Sequence, residues 1–211
     1  MARRSTAAKK QQPEQLWLVD EQPRLDLDQW YLDPELARRI VDWVIDQRDT
    51  PARDMVVLEP SAGRGALARP LVEFGAQVVC VDIDPRNVAA LQRDGLDAYE
   101  GNFLEMKPIG PSFDAVISNP PFSNGLALPH ILHMLLFAPH VFVHVPLTTL
   151  AGQDRHAQLW TQHDLEAQVI HSTRPKYGPS GGMTEMTTLH IARRGTPTNH
   201  VLHRPKVYFW L

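Results

Sequence analysis

The sequence of 211 residues is poor in the features that mark secreted, membrane-bound or zinc-stabilised proteins. Its only cysteine is Cys80, so no internal disulfide can form, and we expect a reducing, cytoplasmic setting. No apolar run approaches the roughly 18 residues of a membrane-spanning helix, and no signal-peptide-like apolar stretch opens the chain. No spacing of cysteine and histidine resembles a zinc site, and we expect His130 and His133 at surface or core positions. We therefore expect no membrane association and no bound metal ion.

Charge is nearly balanced over the whole chain, at -3, but it is unevenly distributed. Residues 1–10 carry +4 and residues 171–211 carry +5, which leaves -12 for residues 11–170. An acidic body with two basic ends favours a polyanionic partner such as DNA or RNA. Solvated basic tails on an acidic domain explain the pattern about equally well. We expect a flexible basic arm over residues 1–15 and one domain with a basic C-terminal tail over residues 16–211.

Short apolar runs alternate with helical patterns along the chain, which predicts an α/β fold. The predicted helices cover residues 34–48, 65–74, 85–94 and 126–137. The predicted strands cover residues 55–59, 77–84, 97–99, 113–119, 140–146, 166–172 and 186–193. Strands separated by helices form parallel sheets, whereas the last two strands have no room for a helix between them and should be antiparallel. The sequence therefore predicts a seven-stranded, mostly parallel sheet with helices on both faces.

Glycine and acidic residues follow the first two predicted strands. Gly63 and Gly65, in "EPSAGRGALA", lie where the chain turns from the first strand into a helix. Glycines there let the backbone approach a ligand, and the helix N-terminus offers free N–H groups. Asp82 ends the second strand, where an acidic residue typically accepts the ribose hydroxyls of a nucleoside cofactor. Asp84, which precedes Pro85, is better explained as a helix cap.

The third and fourth predicted strands end in polar residues followed by aromatic ones. Asn102 and Phe103 suit the edge and the face of an adenine ring. In the segment Asn119-Pro120-Pro121-Phe122, two consecutive prolines remove two backbone donors and fix φ twice. A rigid corner therefore holds an amide side chain, a bare carbonyl and an aromatic ring at the end of a strand. Ligands of open parallel sheets bind at this edge, outside the carboxyl ends of the strands.

Taken in this order, the segments "QWYLDPELARRIVDWV", "LEPSAGRGALA", "VDIDP", "GNFLE" and "SNPPF" resemble those of the S-adenosylmethionine-dependent adenine-N6 DNA methyltransferases. The resemblance spans roughly residues 29–193 and implies a Rossmann-like class I methyltransferase fold with S-adenosylmethionine as cofactor. Asn102 departs from the family's usual aspartate, although an amide oxygen also accepts from the adenine amino group. The implied cofactor-binding residues are Trp30, Tyr31, Glu59, Pro60, Ser61, Ala62, Gly63, Gly65, Asp82, Ile83, Asn102, Phe103 and Asn119.

The resemblance also implies the catalytic residues Asn119, Pro120, Pro121 and Phe122. The side-chain oxygen of Asn119 and the carbonyl of Pro120 would accept the two hydrogens of the adenine amino group, which aims the nitrogen lone pair at the cofactor methyl. Phe122 would stack on the target base once it is flipped out of the helix, and Tyr177 would be a second stacking residue. Basic neighbours of Tyr177 would contact phosphates. The implied substrate-binding residues are Phe122, Arg174, Lys176 and Tyr177.

Several other functions remain open. Enzymes that methylate adenine or guanine amino groups of ribosomal RNA share the motif, and the basic chain ends would serve either nucleic acid. Enzymes that methylate glutamine N5 in release factors share it too, but they favour tyrosine at the position of Phe122. The intact cofactor motifs and Asn119 disfavour a non-catalytic nucleic-acid-binding protein. We expect a DNA enzyme with short or relaxed sequence recognition, such as an accessory enzyme of a phage or mobile element, because no separate target-recognition domain fits.

Overall fold

Eight strands form one sheet in the part of the chain that the computed structural model describes, residues 31–108, 113–172, 184–196 and 206–210. The strands are β1 (Val56–Glu59), β2 (Gln77–Asp82), β3 (Asp97–Glu100), β4 (Ala115–Ser118), β5 (His140–Pro146), β6 (His163–His171), β7 (Met186–Arg193) and β8 (Lys206–Trp210). Their order is β3-β2-β1-β4-β5-β7-β6-β8. Among these strands, β7 is antiparallel to both neighbours and all other adjacent pairs are parallel. The predicted mostly parallel sheet and the antiparallel pairing of β6 and β7 are confirmed.

Helices cover both faces of the sheet. They are α1 (Pro34–Asp46), α2 (Ala68–Glu73), α3 (Pro85–Arg93), α4 (Ala127–Phe137) and the short α5 (Gln153–Arg155), which continues as a π-helical turn (His156–Trp160). One hydrophobic core joins α1, α2 and α3 to one face, through residues such as Ile40, Leu71 and Leu91. A second core joins α4 and the π-helical turn to the other face, through Ile131 and Leu159. None of these described helices has the length and apolar character needed to cross a membrane.

Two helices begin after an aspartate that directly precedes a proline, Asp33 before Pro34 and Asp84 before Pro85, and this sequence predicts a helix cap. Asp33 accepts hydrogen bonds from two N–H groups in the first turn of α1, at 3.0 and 3.1 Å. Asp84 accepts one from the N–H of Arg86 at the start of α3, at 2.9 Å. A cap of this kind stabilises a helix by about 1 kcal/mol. Asp84 is therefore a helix cap, as predicted, which leaves Asp82 as the acidic residue at the end of β2.

Strand β8 was not predicted. The sequence pattern predicted a basic tail for its residues and seven strands for the sheet. Strand β8 pairs in parallel with β6 at the edge of the sheet. Tyr208 packs against Trp43 of α1 with ring centroids 6.1 Å apart, and the guanidinium of Arg39 lies 4.8 Å from the Trp210 ring centroid. A segment of five residues is too short for its sequence pattern to distinguish a strand from a tail. Contacts of Tyr208 with Trp43 and of Trp210 with Arg39 stabilise the strand against α1.

Four buried histidines lie side by side on β5, β6 and β7. Nδ1 of His140 is 3.0 Å from Nε2 of His190. The hydroxyl of Thr188 lies 3.1 Å from Nδ1 of His144 and 2.9 Å from Nε2 of His171. Burial penalises the imidazolium form, which lowers the pKa of His140 and His171 to about 4 and the pKa of His144 well below its ordinary value. His140, His144 and His171 are therefore neutral within the sheet.

We expect the folded state to lose stability as the pH falls from about 6.5 to about 4. In this window the unfolded chain protonates these histidines and the folded chain does not, so the stabilisation present above pH 6.5 is lost on acidification. His140 and His171 each contribute about 3 kcal/mol to this loss. Urea unfolding at a series of pH values measures it. His171→Gln should flatten the pH dependence, whereas His156→Gln, at an exposed position, should not. A midpoint that is constant across this window would contradict the prediction.

Candidate cofactor cavity and active site

A cavity of about 350 Å³ opens at the carboxyl ends of β1, β2, β3 and β4. The order of the sheet reverses at β1, which has β2 on one side and β4 on the other, and ligands of open parallel sheets bind at such a point. The predicted site residues that line the cavity are Tyr31, Glu59, Pro60, Ser61, Ala62, Gly63, Asp82, Ile83, Asn102, Phe103, Asn119 and Pro121. The predicted residues in the same turns that do not line it are Gly65, Pro120 and Phe122. Those outside the described residues are Trp30, Arg174, Lys176 and Tyr177.

The turn between β1 and α2 needs glycine at two positions. Gly63 and Gly65 have φ values of +53° and +76°, in the left-handed region that side chains rarely adopt. A Cβ atom on Gly63 would lie 3.3 Å from Cε1 of Tyr31, and one on Gly65 would lie 2.7 Å from Cδ2 of Leu91. The backbone therefore borders the cavity at Gly63 and packs closely against α3 at Gly65.

Asp82 connects this turn to the end of β2. Its Oδ2 accepts the N–H of Gly63 at 2.6 Å, and its Oδ1 accepts the N–H of Asp84 at 2.8 Å and the amide of Asn87 at 3.1 Å. A carboxylate offers about four acceptor sites, so these three bonds leave capacity for a ligand hydroxyl. Asp82 thus holds the glycine turn in place as well as facing the cavity. The first of these roles was not predicted from the sequence.

The Asn-Pro-Pro-Phe segment follows β4 and borders the same cavity. Asn119 and Pro121 line the cavity, whereas Phe122 is half-buried and packs against both hydrophobic cores. Beyond it, Asn124 and Gly125 adopt φ values of +55° and +76°, which turn the chain back into α4. The rigid corner expected from the two prolines is therefore present, with Asn119 at the cavity wall.

The chain is similar in sequence to known methyltransferases. The protein family described as "Methyltransferase domain" matches residues 58–124, which run from β1 through the Asn-Pro-Pro-Phe segment. The chain is 30% identical over 158 residues to ribosomal RNA small subunit methyltransferase A of Corynebacterium efficiens, covering 66% of this chain and 50% of that protein. It is 27% identical over 147 residues to a ribosomal RNA small subunit methyltransferase of Arabidopsis thaliana, covering 63% and 41%. It is 26% identical over 147 residues to a candidate dimethyladenosine transferase of Dictyostelium discoideum, covering 63% and 46%. The chain thus spans half the length or less of these curated relatives.

Solved structures have the same fold. A candidate RNA methyltransferase from Pyrococcus horikoshii superposes with a TM-score of 0.68 at 17% identity, covering 82% of this chain and 90% of that one. The 23S rRNA methyltransferase ErmE superposes with 0.58 at 21% identity, covering 80% and 71%. Magnesium protoporphyrin IX methyltransferase from Synechocystis PCC 6803, solved with bound S-adenosylmethionine, superposes with 0.57 at 18% identity, covering 76% and 79%. Residues 58–124 thus match a methyltransferase domain, and the chain has the fold of class I S-adenosylmethionine-dependent methyltransferases. The predicted fold class and cofactor are confirmed.

Glu59 of the methyltransferase domain fits the charged amino-acid end of this cofactor. Its side chain is 2% exposed, and its Oε2 atom has no hydrogen-bond partner among the described residues. Buried acceptors are rarely left unpaired in proteins, so Glu59 has capacity for a donor from a ligand. Burial, assisted by the nearby Asp82 carboxylate, raises the pKa of Glu59 well above its ordinary value. An ammonium group would supply both a donor and a compensating charge, and Glu59 would hold that group.

The other end of the cavity fits an adenine ring. Ile83, although apolar, is 52% exposed and lines the cavity after β2, and the buried Phe103 lines it after β3. The Asn102 oxygen accepts the N–H of Leu104 at 3.2 Å, and its amide nitrogen donates to Glu105 at 2.8 Å. These bonds fix the orientation of the Asn102 amide and leave one oxygen lone pair for a ligand donor. This end of the cavity therefore offers apolar surfaces on which an adenine ring would fit, and an acceptor that its amino group would meet.

Several cavity residues were missed from the sequence: Leu32, Arg64, Ala66, Leu67, Asn87, Gly101, Leu104, Asn124, Leu126 and His130. The position of Arg64 between two predicted glycines could have indicated it. The Asn124-Gly125 dipeptide is a turn signal that could have indicated a left-handed corner. His130, expected at a surface or core position, is buried but also lines the cavity. No local pattern encodes this position, since it depends on how α4 packs against Phe103.

We expect cofactor binding to release a proton from Glu59. A bound ammonium favours the carboxylate, so the raised pKa of Glu59 should fall on binding, and affinity should increase with pH. Isothermal titration calorimetry with S-adenosylhomocysteine, in buffers of different ionisation enthalpy near neutral pH, counts the released protons. Glu59→Gln should abolish the release and weaken binding by about 10- to 100-fold. Equal proton release by the wild-type chain and this variant would contradict the assignment.

Proposed function

We propose that this domain transfers the methyl group of S-adenosylmethionine to the exocyclic N6 amino group of adenine in RNA. The observation that carries the proposal is the position of Asn119, which lines the cofactor cavity immediately beyond β4. Pro120, buried, and Pro121 follow it, and neither has a backbone N–H to donate. The segment therefore brings the Asn119 side chain to the cavity wall, and the two residues that follow it add no competing N–H donors.

An adenine amino group is a weak nucleophile because its lone pair is delocalised into the ring. The Asn119 oxygen and the Pro120 carbonyl would each accept one amino hydrogen, which draws the nitrogen toward tetrahedral geometry and concentrates its lone pair. When bound, S-adenosylmethionine supplies an electrophilic methyl group on a sulfonium centre. Asn119 and Pro120 would keep hold of the amino group during the transfer, after which the extra proton leaves the nitrogen for water.

Phe122 would stack on the target base. Its packing against both hydrophobic cores holds the ring firmly, which suits a stacking platform. Taking a base out of a stacked helix costs a few kcal/mol, and stacking on an aromatic side chain returns about 1–3 kcal/mol. Tyr177, Arg174 and Lys176, which lie outside the described residues, stay predicted substrate contacts.

The choice of RNA over DNA comes from the curated relatives. The sequence alone favoured DNA, but the named relatives from Corynebacterium efficiens and Arabidopsis thaliana are ribosomal RNA methyltransferases. The relative from Dictyostelium discoideum, a candidate dimethyladenosine transferase, supports adenine as the target base. An exocyclic adenine amino group presents the same two hydrogens in RNA and in DNA, so the chemistry proposed for Asn119 serves either. The substrate assignment therefore needs a direct test.

A methyl-transfer assay with a panel of substrates tests this proposal. The purified chain is incubated with labelled S-adenosylmethionine and, in separate reactions, ribosomal RNA, duplex DNA and release-factor protein. We expect label in RNA, and none in the other substrates. Label in DNA alone would restore the DNA-methyltransferase interpretation. Label in protein alone would favour the glutamine-methylating class, and its absence from every substrate would contradict a catalytic role.

A further inference from the structure

His130, on α4, is a cavity residue with a defined hydrogen-bonding state. Its ring is 6% exposed, it lines the cavity, and its Nδ1 lies 2.9 Å from the carbonyl oxygen of Leu126 in its own helix. A carbonyl oxygen can only accept, so Nδ1 must carry the ring proton. Burial lowers the pKa of His130, which keeps the ring neutral. Nε2 is therefore a hydrogen-bond acceptor.

The environment of Nε2 shows what it can accept from. Since Nδ1 faces the helix backbone, Nε2 lies on the side of the ring directed away from that backbone, and no described residue forms a hydrogen bond with it. The His130 ring contacts Phe103 with centroids 6.1 Å apart. Phe103 follows Asn102 at the end of β3, which is the end of the cavity assigned above to the adenine ring. His130 therefore brings a second neutral acceptor to the cavity that Asn102 also lines, on the side of Phe103.

The number of acceptors matches the number of donors on the amino group of the cofactor's adenine. That group has two hydrogens, and the Asn102 oxygen, already shared with the N–H of Leu104, offers one lone pair. An Asn in place of an acidic residue also gives up the charge that would strengthen this bond. A second acceptor on α4 offsets that loss and completes recognition of the amino edge.

We propose that Nε2 of His130 accepts a hydrogen bond from the 6-amino group of the cofactor's adenine and so selects a 6-aminopurine cofactor over a 6-oxopurine one. The proposal rests on the cofactor assignment and on the adenine end of the cavity. A 6-oxo group would bring an acceptor against an acceptor, so a site built in this way rejects it. His130 is thus a specificity residue for the cofactor and takes no part in the methyl transfer.

Calorimetric binding of S-adenosylhomocysteine and of S-inosylhomocysteine, its 6-oxo counterpart, tests this role. The wild-type chain should bind the adenine ligand at least tenfold more tightly than the inosine ligand. His130→Phe keeps a ring against Phe103 without the acceptor and should weaken only the adenine ligand, by about tenfold. His130→Gln, which restores an acceptor oxygen, should recover part of the preference. His133→Phe is the matched control, because Nε2 of His133 already bonds to the carbonyl of Met106 at 2.9 Å.

A measurement on the wild-type chain avoids dependence on variants. In ¹⁵N-labelled protein, the Nε2 resonance of His130 should move on addition of S-adenosylhomocysteine and stay in place with S-inosylhomocysteine. If His130→Phe binds both ligands as tightly as the wild-type chain and with the same preference, the role of His130 alone would be overturned. Failure of the wild-type chain to bind either ligand would overturn the cofactor assignment, and this proposal with it.

Discussion

An Asn119→Ala variant is expected to bind S-adenosylhomocysteine within a few-fold of the wild-type affinity and to transfer methyl groups about 10²- to 10³-fold more slowly. Alanine removes the oxygen that would hold one hydrogen of the substrate amino group, while the glycine turn, Asp82 and Glu59 still hold the cofactor. The loss of the Asn119 oxygen should therefore lower kcat and leave cofactor binding nearly unchanged.

The matched variant for this experiment is Asn119→Asp, which has nearly the same shape and keeps an acceptor oxygen. It should retain more activity than Asn119→Ala. Rates come from single-turnover transfer of labelled methyl, and Kd values come from calorimetry. Thermal unfolding of both variants checks that β4 and the corner after it remain folded. An Asn119→Ala rate above one tenth of the wild-type rate would contradict the assigned role.

The second large effect is expected from Gly65→Ala. The new Cβ atom would lie 2.7 Å from Cδ2 of Leu91, a fully buried side chain of α3, at a backbone φ of +76°. The left-handed conformation costs about 1–2 kcal/mol and overpacking of a core costs about 1–3 kcal/mol more. We therefore expect the free energy of unfolding to fall by about 2–5 kcal/mol. Because the same turn borders the cavity at Gly63, cofactor binding should weaken as well.

Gly95→Ala is the control for this substitution. Gly95 has a similar φ of +81°, but nothing lies within 4 Å of a Cβ atom placed there. Gly95→Ala adopts the same unfavourable backbone conformation but overpacks nothing. The variant should therefore be destabilised by about 1–2 kcal/mol, and its cofactor binding should be unchanged. Urea unfolding of the three proteins measures the difference. Equal destabilisation by the two alanines would show that the close approach to α3 does not matter.

The parts of the fold and site that the sequence predicted are those with local patterns. Asp33 and Asp84 could be placed as helix caps because each directly precedes a proline, and proline is common at the first position of a helix. Gly63 and Gly65 could be placed because a turn from a parallel strand into a helix restricts the backbone. Asn119 follows a buried strand, and the carboxyl ends of neighbouring parallel strands lie at one edge of the sheet. Such features need only a short segment and the rule for its place in an α/β sheet.

The missed features depend on contacts between distant segments. Strand β8 packs on Trp43 and Arg39 of α1, which are far away in the chain, so its five residues resemble a tail when read alone. His130 reaches the cavity because α4 packs against Phe103, whereas the sequence of α4 shows only a largely apolar helix. The bond of Asp82 with the N–H of Gly63 likewise follows from the meeting of β2 with the turn after β1. Tertiary packing decides each of these, and a local pattern does not contain it.

The identity of the methylated nucleoside tests the central claim most directly. Ribosomal RNA is incubated with the chain and S-adenosylmethionine, digested to nucleosides and analysed by mass spectrometry, with Asn119→Ala in parallel. The account predicts N6-methylated adenosine in the wild-type reaction and almost none in the variant. Methylation on a ring carbon, on a ribose hydroxyl or only on another base would contradict a site built to hold the amino group of adenine.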